Sequence, residues 1–220
     1  MSTGRIYISM TVMPERLISE FFQSVIAHLK NQTADFDKIV VNIPDVYRRT
    51  NTPYQVPRWL EQESKVIINR CYDLGPATKL LGVYDQLRSD DTVCIVDDDI
   101  IYQPTMLEML LEGLKLHPHA LISTTLDAQN SPTGYSGYIF VKRNLRITEQ
   151  DLDLLMHHCY CVDDTWLGKI AGQKGLPVYG LSTNWQASMD RPLTDTHPKW
   201  YELGKDSHRE KAIRQCLCAS

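Results

Sequence analysis

Short apolar runs alternate along the chain with amphipathic segments and polar turns. Runs rich in β-branched and aromatic residues predict seven strands, at 5–10, 38–43, 65–69, 92–96, 121–126, 138–142 and 177–181. Apolar residues recur at three- and four-residue spacing elsewhere, which predicts helices near 14–29, 76–87, 104–117, 151–158 and 209–218. This alternation predicts an α/β fold of Rossmann type, with a mostly parallel central sheet and helices on both faces.

The chain length and charge restrict the class of protein. The length of 220 residues predicts one domain, or one domain with a small appendage. The formal net charge of −4 gives no reason to expect a nucleic-acid partner. No stretch has the roughly 18 consecutive apolar residues of a membrane span, and the N-terminus lacks a signal-peptide core, so we expect a soluble, cytoplasmic protein.

Six cysteines are present, and four of them form two C-x-C pairs, Cys159 with Cys161 and Cys216 with Cys218. Structural zinc sites usually space their ligands more widely, as C-x₂₋₄-C. We therefore expect reduced thiols, as in most cytosolic proteins.

Three consecutive carboxylates, Asp97, Asp98 and Asp99, follow the apolar strand predicted at 92–96. Like charges at this spacing repel one another, and the repulsion grows with burial. Mg²⁺ or Mn²⁺ would relieve it, since both prefer oxygen ligands and commonly join carboxylates to substrate phosphates. In extended backbone, Asp97 and Asp99 would point to one side and Asp98 to the other. The sequence therefore predicts a divalent metal site here.

Other polar segments follow the predicted strands, and ligands of open α/β sheets bind at the carboxyl ends of the strands. The segments 11–16, 73–79 and 97–99 are therefore expected to line one crevice. Gly75 and Pro76 precede a helix whose first turn holds Thr78 and Lys79, which suits either a phosphate or ribose cradle or an ordinary helix start with a solvated lysine. No dinucleotide-binding glycine motif and no P-loop is present.

A second acidic pair, Asp163 and Asp164, stands at another predicted helix start. Carboxylates are favoured there as simple caps, but one of them could also serve as a general base. Both interpretations remain open from the residues alone.

Taken in order, these motifs resemble those of GT-A-fold glycosyltransferases that use nucleotide-sugar donors. The set is Thr-x-x-Pro-x-Arg from Thr11, Asp-x-Gly-Pro-Ala-Thr-Lys from Asp73, the Asp97–Asp99 run, Gly-x-x-Gly-aromatic from Gly134, and Asp-Asp-x-Trp-Leu from Asp163. The triple aspartate is similar to the D-x-D motif of that family. The compact form is also similar to the small glycosyltransferase domains of large algal viruses.

The resemblance implies a single domain over 1–220, with a nucleotide-binding half at 1–103 and an acceptor-binding and catalytic half at 104–220 that ends in a closing segment. It also implies a role for each matching position. Nucleotide or donor contacts would come from Thr11, Arg16, Asp73, Lys79, Asp97, Asp98, Lys205 and Arg209. The wall around the sugar and acceptor would be formed by Gly134, Gly137, Tyr138 and Trp166. Asp99 and His208 would bind the metal, with His197 as the second choice of histidine. Asp164 would be the base of an inverting transfer, oriented by Asp163.

The expected activity is a Mn²⁺- or Mg²⁺-dependent transfer of a sugar from a UDP- or GDP-sugar to a glycan, glycoprotein or other hydroxyl acceptor. A sugar-phosphate nucleotidyltransferase is the alternative enzyme, although no phosphate-binding loop rich in Gly, Arg and Lys follows the first strand. A catalytically silent nucleotide-sugar-binding module is the third possibility, and the intact second acidic pair argues against it.

Overall fold

The computed structural model of the chain describes residues 4–181, the backbone of 189–190, and residues 206–219, with side chains in that last segment from Glu210 onward. Its strands are β1 Ile6–Thr11, β2 Lys38–Pro44, β3 Val46–Tyr47, β4 Thr52–Pro53, β5 Val66–Cys71, β6 Thr92–Ile95, β7 Ile101–Tyr102, β8 Leu121–Ser123, β9 Tyr138–Val141, β10 Val178–Gly180 and β11 Met189–Asp190.

The α-helices in the same ranges are α1 Pro14–Leu17, α2 Glu20–Lys30, α3 Arg58–Glu61, α4 Thr78–Tyr84, α5 Met106–Leu116, α6 Glu149–Leu154, α7 Asp163–Gln173 and α8 Asp206–Cys218. Short 3₁₀ helices cover Gly75–Ala77, Gly134–Ser136 and Lys142–Asn144, and a π-helix covers Leu155–Cys159. The predicted helix at 151–158 therefore begins earlier, at Glu149, where Thr148 and Asp151 form a reciprocal capping box.

The central sheet has seven strands in the order β10-β8-β9-β6-β1-β2-β5. All neighbouring pairs are parallel except those of β9, which runs antiparallel to both β6 and β8. All seven predicted strands belong to this sheet, so the prediction of a mixed α/β domain with a mostly parallel sheet is confirmed. The carboxyl ends of β1, β2, β5 and β6 consequently lie along one edge.

Helices cover both faces of the sheet because successive strand residues point to opposite sides. On β6, Cys94 belongs to the core shared with α2 and α5. Its neighbours Val93 and Ile95 belong to the second core, shared with α4 and α7. Strand β6 is thus buried on both faces, as its nearly continuous apolar sequence predicts.

Two small features were not predicted. The loop after β2 contains an antiparallel hairpin of β3 and β4, and β7 pairs with β11 outside the main sheet. Strands of two residues are too short to leave a periodic pattern in the sequence.

The expectation that all cysteines are reduced is wrong for one pair. Cys159 and Cys216 form a disulfide, with their Cα atoms 4.7 Å apart. Helix α8 packs against α7 and the π-helix, and this brings together two cysteines separated by 57 residues. Cys71, Cys94, Cys161 and Cys218 are free thiols. The cytoplasmic location stays a prediction.

Across the described part of the chain, none of the helices combines the length and the hydropathy needed to cross a membrane.

Candidate active site

The triple aspartate follows β6 at the carboxyl edge of the sheet, but the backbone does not stay extended through it. The chain turns at Asp98 and Asp99. Asp97 contacts Lys79, whereas Asp98 and Asp99 both lie near Arg16. The expectation that Asp97 and Asp99 share one side is therefore wrong, because strict alternation holds only in extended backbone.

Lys79 joins the two acidic segments. Its Nζ lies 2.8 Å from Asp97 Oδ1, 2.9 Å from Asp163 Oδ2 and 3.5 Å from Asp164 Oδ1. The residue is buried, so its ammonium does not project into solvent as a phosphate ligand would. The prediction that 73–79 and 97–99 line one crevice agrees with the contact between Lys79 and Asp97, and the same ammonium also contacts the second acidic pair.

Asp163 and Asp164 are the first two residues of α7, and the position before them is Val162, so neither aspartate is the helix cap. Asp164 Oδ2 accepts a hydrogen bond from the Gly134 N–H at 3.0 Å. Burial raises the pKa of Asp164, Lys79 opposes that shift, and Asp163 and Asp97 add to it, with a resulting pKa of about 7. Because 24 % of the side chain remains exposed, a substrate can reach this carboxylate.

Burial and the neighbouring carboxylates also act on other members of this group. Burial raises the pKa of Asp97, and Lys79 opposes the rise. Burial alone would lower the pKa of Lys79, but Asp163, Asp164 and Asp97 hold it well above its ordinary value. Lys79 therefore stays protonated, whereas the raised pKa values of Asp97 and Asp164 bring these carboxylates closer to protonation at neutral pH.

Gly134 fits this cluster because it has no side chain. A Cβ at this position would stand 2.2 Å from Lys79 Nζ and 2.7 Å from Asp97 Oδ1. Its carbonyl accepts a hydrogen bond from the Tyr102 hydroxyl at 2.9 Å, and that hydroxyl in turn accepts the Asp97 N–H at 2.8 Å. The segment that begins at Gly134 is thus tied to both acidic segments.

Arg16 is also turned inward. Its Nη1 donates to Asp98 Oδ1 at 2.6 Å, its Nη2 lies 3.9 Å from Asp99 Oδ2, and the Met13 N–H donates to Asp98 Oδ2 at 3.2 Å. Burial raises the pKa of Asp98, and the adjacent Arg16 opposes that shift. Arg16 and Asp98 were expected to bind the donor, but here they join α1 to the triple aspartate.

Asp73 follows β5 and accepts backbone N–H groups on both oxygens. Arg48 donates to Oδ2 and Gly75 to Oδ1, each at 2.8 Å. The Arg48 guanidinium stacks between Tyr72 and Tyr160, 5.2 and 5.7 Å from their ring centroids. These contacts place the Asp73 carboxylate and the Arg48 guanidinium beside two aromatic rings at the carboxyl edge of the sheet.

A buried polar network, which was not predicted from the sequence, connects α4 to the strands of the central sheet. The Ser9 hydroxyl donates to the Lys79 carbonyl at 2.6 Å, and Asn42 Nδ2 donates to Ser9 Oγ at 2.9 Å. Asn69 Nδ2 completes the chain with a 2.8 Å hydrogen bond to Asn42 Oδ1. Single polar residues inside otherwise apolar strands were the available signal, since buried polar groups require partners.

The remaining predicted residues differ in placement. Tyr138 is buried on β9 close enough to Lys79 and Asp164 for their charges to act on its pKa, which burial raises. Gly137 has a φ of 88° and lies against the Met106 side chain. Thr11, at the end of β1, donates from its hydroxyl to the Asn42 carbonyl at 3.0 Å.

Trp166 does not line the crevice. It is 1 % exposed, belongs to the core on the α7 face, and donates from its indole nitrogen to the Asp151 carbonyl. The expectation that it contacts a sugar is corrected, since no ring face is open to one.

Four predicted positions lie outside what the structure describes. Lys205 and His197 fall beyond the described residues, and His208 and Arg209 lie in α8 where side chains are not described. Their assigned roles stay predictions.

A divalent cation suits the charge of this edge. Among the described residues, the carboxylates of Asp97, Asp98, Asp99, Asp163 and Asp164 lie around the two cations Lys79 and Arg16, and these seven groups carry three negative charges when all are ionised. Within residues 4–181 and the described part of α8, no three His, Cys, Asp or Glu side chains form a ready metal cluster. Mg²⁺ and Mn²⁺ commonly need only one or two carboxylates with substrate phosphates, so Asp99 fits such an ion.

No protein-family model and no curated protein matches the sequence. Solved structures do match the fold. A mannosyltransferase from Pyrobaculum calidifontis, solved with GDP-mannose and Mn²⁺, aligns with a TM-score of 0.54 at 14% identity, over 81% of this chain and 55% of its own. This chain thus spans about half the length of that enzyme. A 4-diphosphocytidyl-2C-methyl-D-erythritol synthase aligns with a TM-score of 0.50 at 11% identity, over 97% and 100% of the two chains.

The chain has a Rossmann-like fold of the GT-A type. Both similar structures are enzymes, and one of them was solved with a nucleotide sugar and a divalent cation. At these identities the likeness concerns the fold alone, and the activity is argued from the site.

Proposed function

We propose that the protein is a divalent-cation-dependent, inverting glycosyltransferase, which moves a sugar from a UDP- or GDP-sugar to a hydroxyl of a glycan or glycoprotein. The observation that carries the proposal is the position of Asp164. It is a partly exposed carboxylate with a pKa of about 7, joined through Lys79 to the aspartate that follows β6.

The chemistry requires two separate acidic sites. In an inverting transfer, the acceptor oxygen attacks the anomeric carbon while the bond to the departing phosphate oxygen breaks. Asp164 accepts the proton that the acceptor hydroxyl loses, because an alcohol is a weak nucleophile until its proton is removed. Its pKa near neutrality matches this task, since the base must be ionised yet able to take up a proton.

The leaving group needs compensation of its charge. Asp99, with His208 as a further ligand, would hold Mn²⁺ or Mg²⁺ on the triple-aspartate side, and the bound ion would neutralise the developing diphosphate charge. Lys205 and Arg209 would contact the phosphates from α8 and the segment before it. Asp73 and its aromatic neighbours would accept the base of the nucleotide, and Thr11 would contact the same ligand.

A nucleotidyltransferase is the second candidate, favoured by the likeness to the synthase along nearly the whole chain. In such an enzyme a phosphate oxygen of the substrate attacks the α-phosphorus of a nucleoside triphosphate, so that the nucleoside monophosphate is transferred and pyrophosphate leaves. The attacking phosphate oxygen is already ionised, so this reaction needs no general base and gives Asp163 and Asp164 no catalytic role.

The proposal is tested by Asp164→Asn beside Asp153→Asn, an exposed aspartate on α6 that serves as the matched control. We expect Asp164→Asn to keep nucleotide and metal affinity but to lose transfer by ~10²-fold or more, the usual scale for a general base. Wild-type transfer should rise with pH through about 7, as Asp164 loses its proton. Normal transfer by Asp164→Asn, or a product that keeps the anomeric configuration of the donor, refutes the proposal.

A further inference from the structure

Lys79 has a geometry that neither a phosphate ligand nor a surface lysine would have. Its ammonium is enclosed by carboxylates from two segments of the chain, one after β6 and one at the start of α7, and its side chain is only 5% exposed. Gly134 lies against the ammonium, since a methyl group there would collide with Nζ.

The backbone of Lys79 is fixed as firmly as its side chain. Its carbonyl accepts the Ser9 hydroxyl, which is itself held by Asn42 in the middle of the sheet. Thr78, the residue before it, is fully buried and accepts the Leu74 N–H. A lysine anchored at both ends loses little further freedom when it pairs, so it can define the position of its partners.

We propose that Lys79 is a positioning residue, whose buried ammonium joins Asp97 to the Asp163–Asp164 pair and keeps the Asp164 carboxylate ionised and aimed at the acceptor. The inference deepens the proposed function, because it rests on Asp164 being the base. It assigns Lys79 to the base and not to the donor phosphates.

The charges that face Asp164 make the direction of this effect definite. Lys79 on α4 and the Gly134 N–H stabilise the ionised carboxylate, whereas Asp163 on α7 and Asp97 after β6 destabilise it. Tyr138 on β9 also faces the cluster. Removal of the Lys79 ammonium leaves Asp97, Asp163 and Asp164 in mutual repulsion, which holds a proton on Asp164 to higher pH.

The direct test is a pH titration of Asp164 by carbon NMR in protein labelled at the aspartate carboxyls, with the signal assigned by its loss in Asp164→Asn. We expect Lys79→Met to move the midpoint upward by about one unit or more, which leaves roughly tenfold less ionised base at a given pH below it. Asp163→Asn should move the midpoint downward. Lys79→Arg, which keeps the charge, should stay closer to the wild type than Lys79→Met.

Lys174→Met is the matched control. Lys174 also pairs with an aspartate, Asp151, at 2.8 Å, but it follows the far end of α7, roughly 15 Å along that helix. Its loss should leave the Asp164 midpoint unchanged.

The inference is overturned if the Asp164 midpoint is the same in Lys79→Met as in the wild type. It is also overturned if Asp163→Asn raises the midpoint, as Lys79→Met is expected to do. Circular dichroism shows whether each variant folds. If Lys79→Met does not, the other two variants are compared with the wild type, and the inference is overturned by an unchanged or raised midpoint in Asp163→Asn or by a rise of a full unit in Lys79→Arg. The titration needs no turnover. If the Asp164 midpoints shift as expected but the protein transfers no sugar, the proposed function is rejected, while the inferred effect of Lys79 on Asp164 stands.

Discussion

The close approach of Gly134 to the charged cluster gives a sharp prediction for Gly134→Ala. The added methyl would lie 2.2 Å from Lys79 Nζ and 2.7 Å from Asp97 Oδ1, far inside van der Waals contact. The two atoms it meets are themselves paired at 2.8 Å, so the methyl cannot be accommodated without separating them or moving the backbone. Backbone movement would in turn stretch the Gly134 N–H bond to Asp164.

The expected loss follows from overpacking. Forcing one methyl into a tightly packed site typically costs about 1–3 kcal/mol. For a chain of this length, a loss of about 2 kcal/mol lowers the melting temperature by roughly 4–8 °C. Displacement of the base by about 1 Å can lower the rate ~10²-fold. We therefore expect Gly134→Ala to fold, to melt lower, and to transfer sugar poorly.

Gly172→Ala is the matched control, because the residue lies in α7 and no atom of the described residues is within 4 Å of a Cβ there. Alanine is favoured over glycine in a helix by about 1 kcal/mol, so this variant should melt slightly higher than wild type and transfer normally. Differential scanning calorimetry and a transfer assay measure both effects. If Gly134→Ala matches the wild type in melting temperature and rate, the crowding described around Lys79 is refuted.

Three further variants test separate contacts. Asp99→Asn should weaken metal-dependent nucleotide binding, and calorimetry showing equal nucleotide affinity with and without a chelator in the wild type would contradict a metal role. Tyr102→Phe leaves the Asp97 N–H and the Gly134 carbonyl without their partner, which should cost about 1–3 kcal/mol in urea unfolding, and an unchanged midpoint would rule out this bridge. Cys216→Ser should lower stability by about 2–4 kcal/mol through loss of a cross-link over 57 residues, and a melting curve insensitive to it and to reductant would show that the bond is absent.

Much of the fold was predictable because each central strand is buried on two sides. That condition demands apolar residues at nearly every position, and the run before Asp97 shows it clearly. Arg16, Lys79 and the triple aspartate lie together, as expected from the rule that parallel strands present their loops at one edge.

The contacts inside the site were less accessible to sequence reasoning. A lysine in the first turn of a helix has the same local sequence whether it faces phosphate or three carboxylates, so the burial of Lys79 depends on β6, α7 and Gly134 arriving together. Trp166 was assigned to the crevice because it follows the acidic pair, yet helical geometry turns it toward the core. The Cys159–Cys216 bond depends on how α8 docks, which no local pattern encodes.

The identity of the phosphorus-containing product tests the central claim most directly. The protein is incubated with Mn²⁺, a panel of UDP- and GDP-sugars and hydroxyl acceptors, in parallel with nucleoside triphosphates and sugar phosphates. Phosphorus NMR then identifies the products after the paramagnetic Mn²⁺ has been removed. The account predicts a nucleoside diphosphate from a sugar nucleotide, released far more slowly by Asp164→Asn. Pyrophosphate from the triphosphate reaction, with no nucleoside diphosphate from any sugar nucleotide, would contradict it and identify a nucleotidyltransferase.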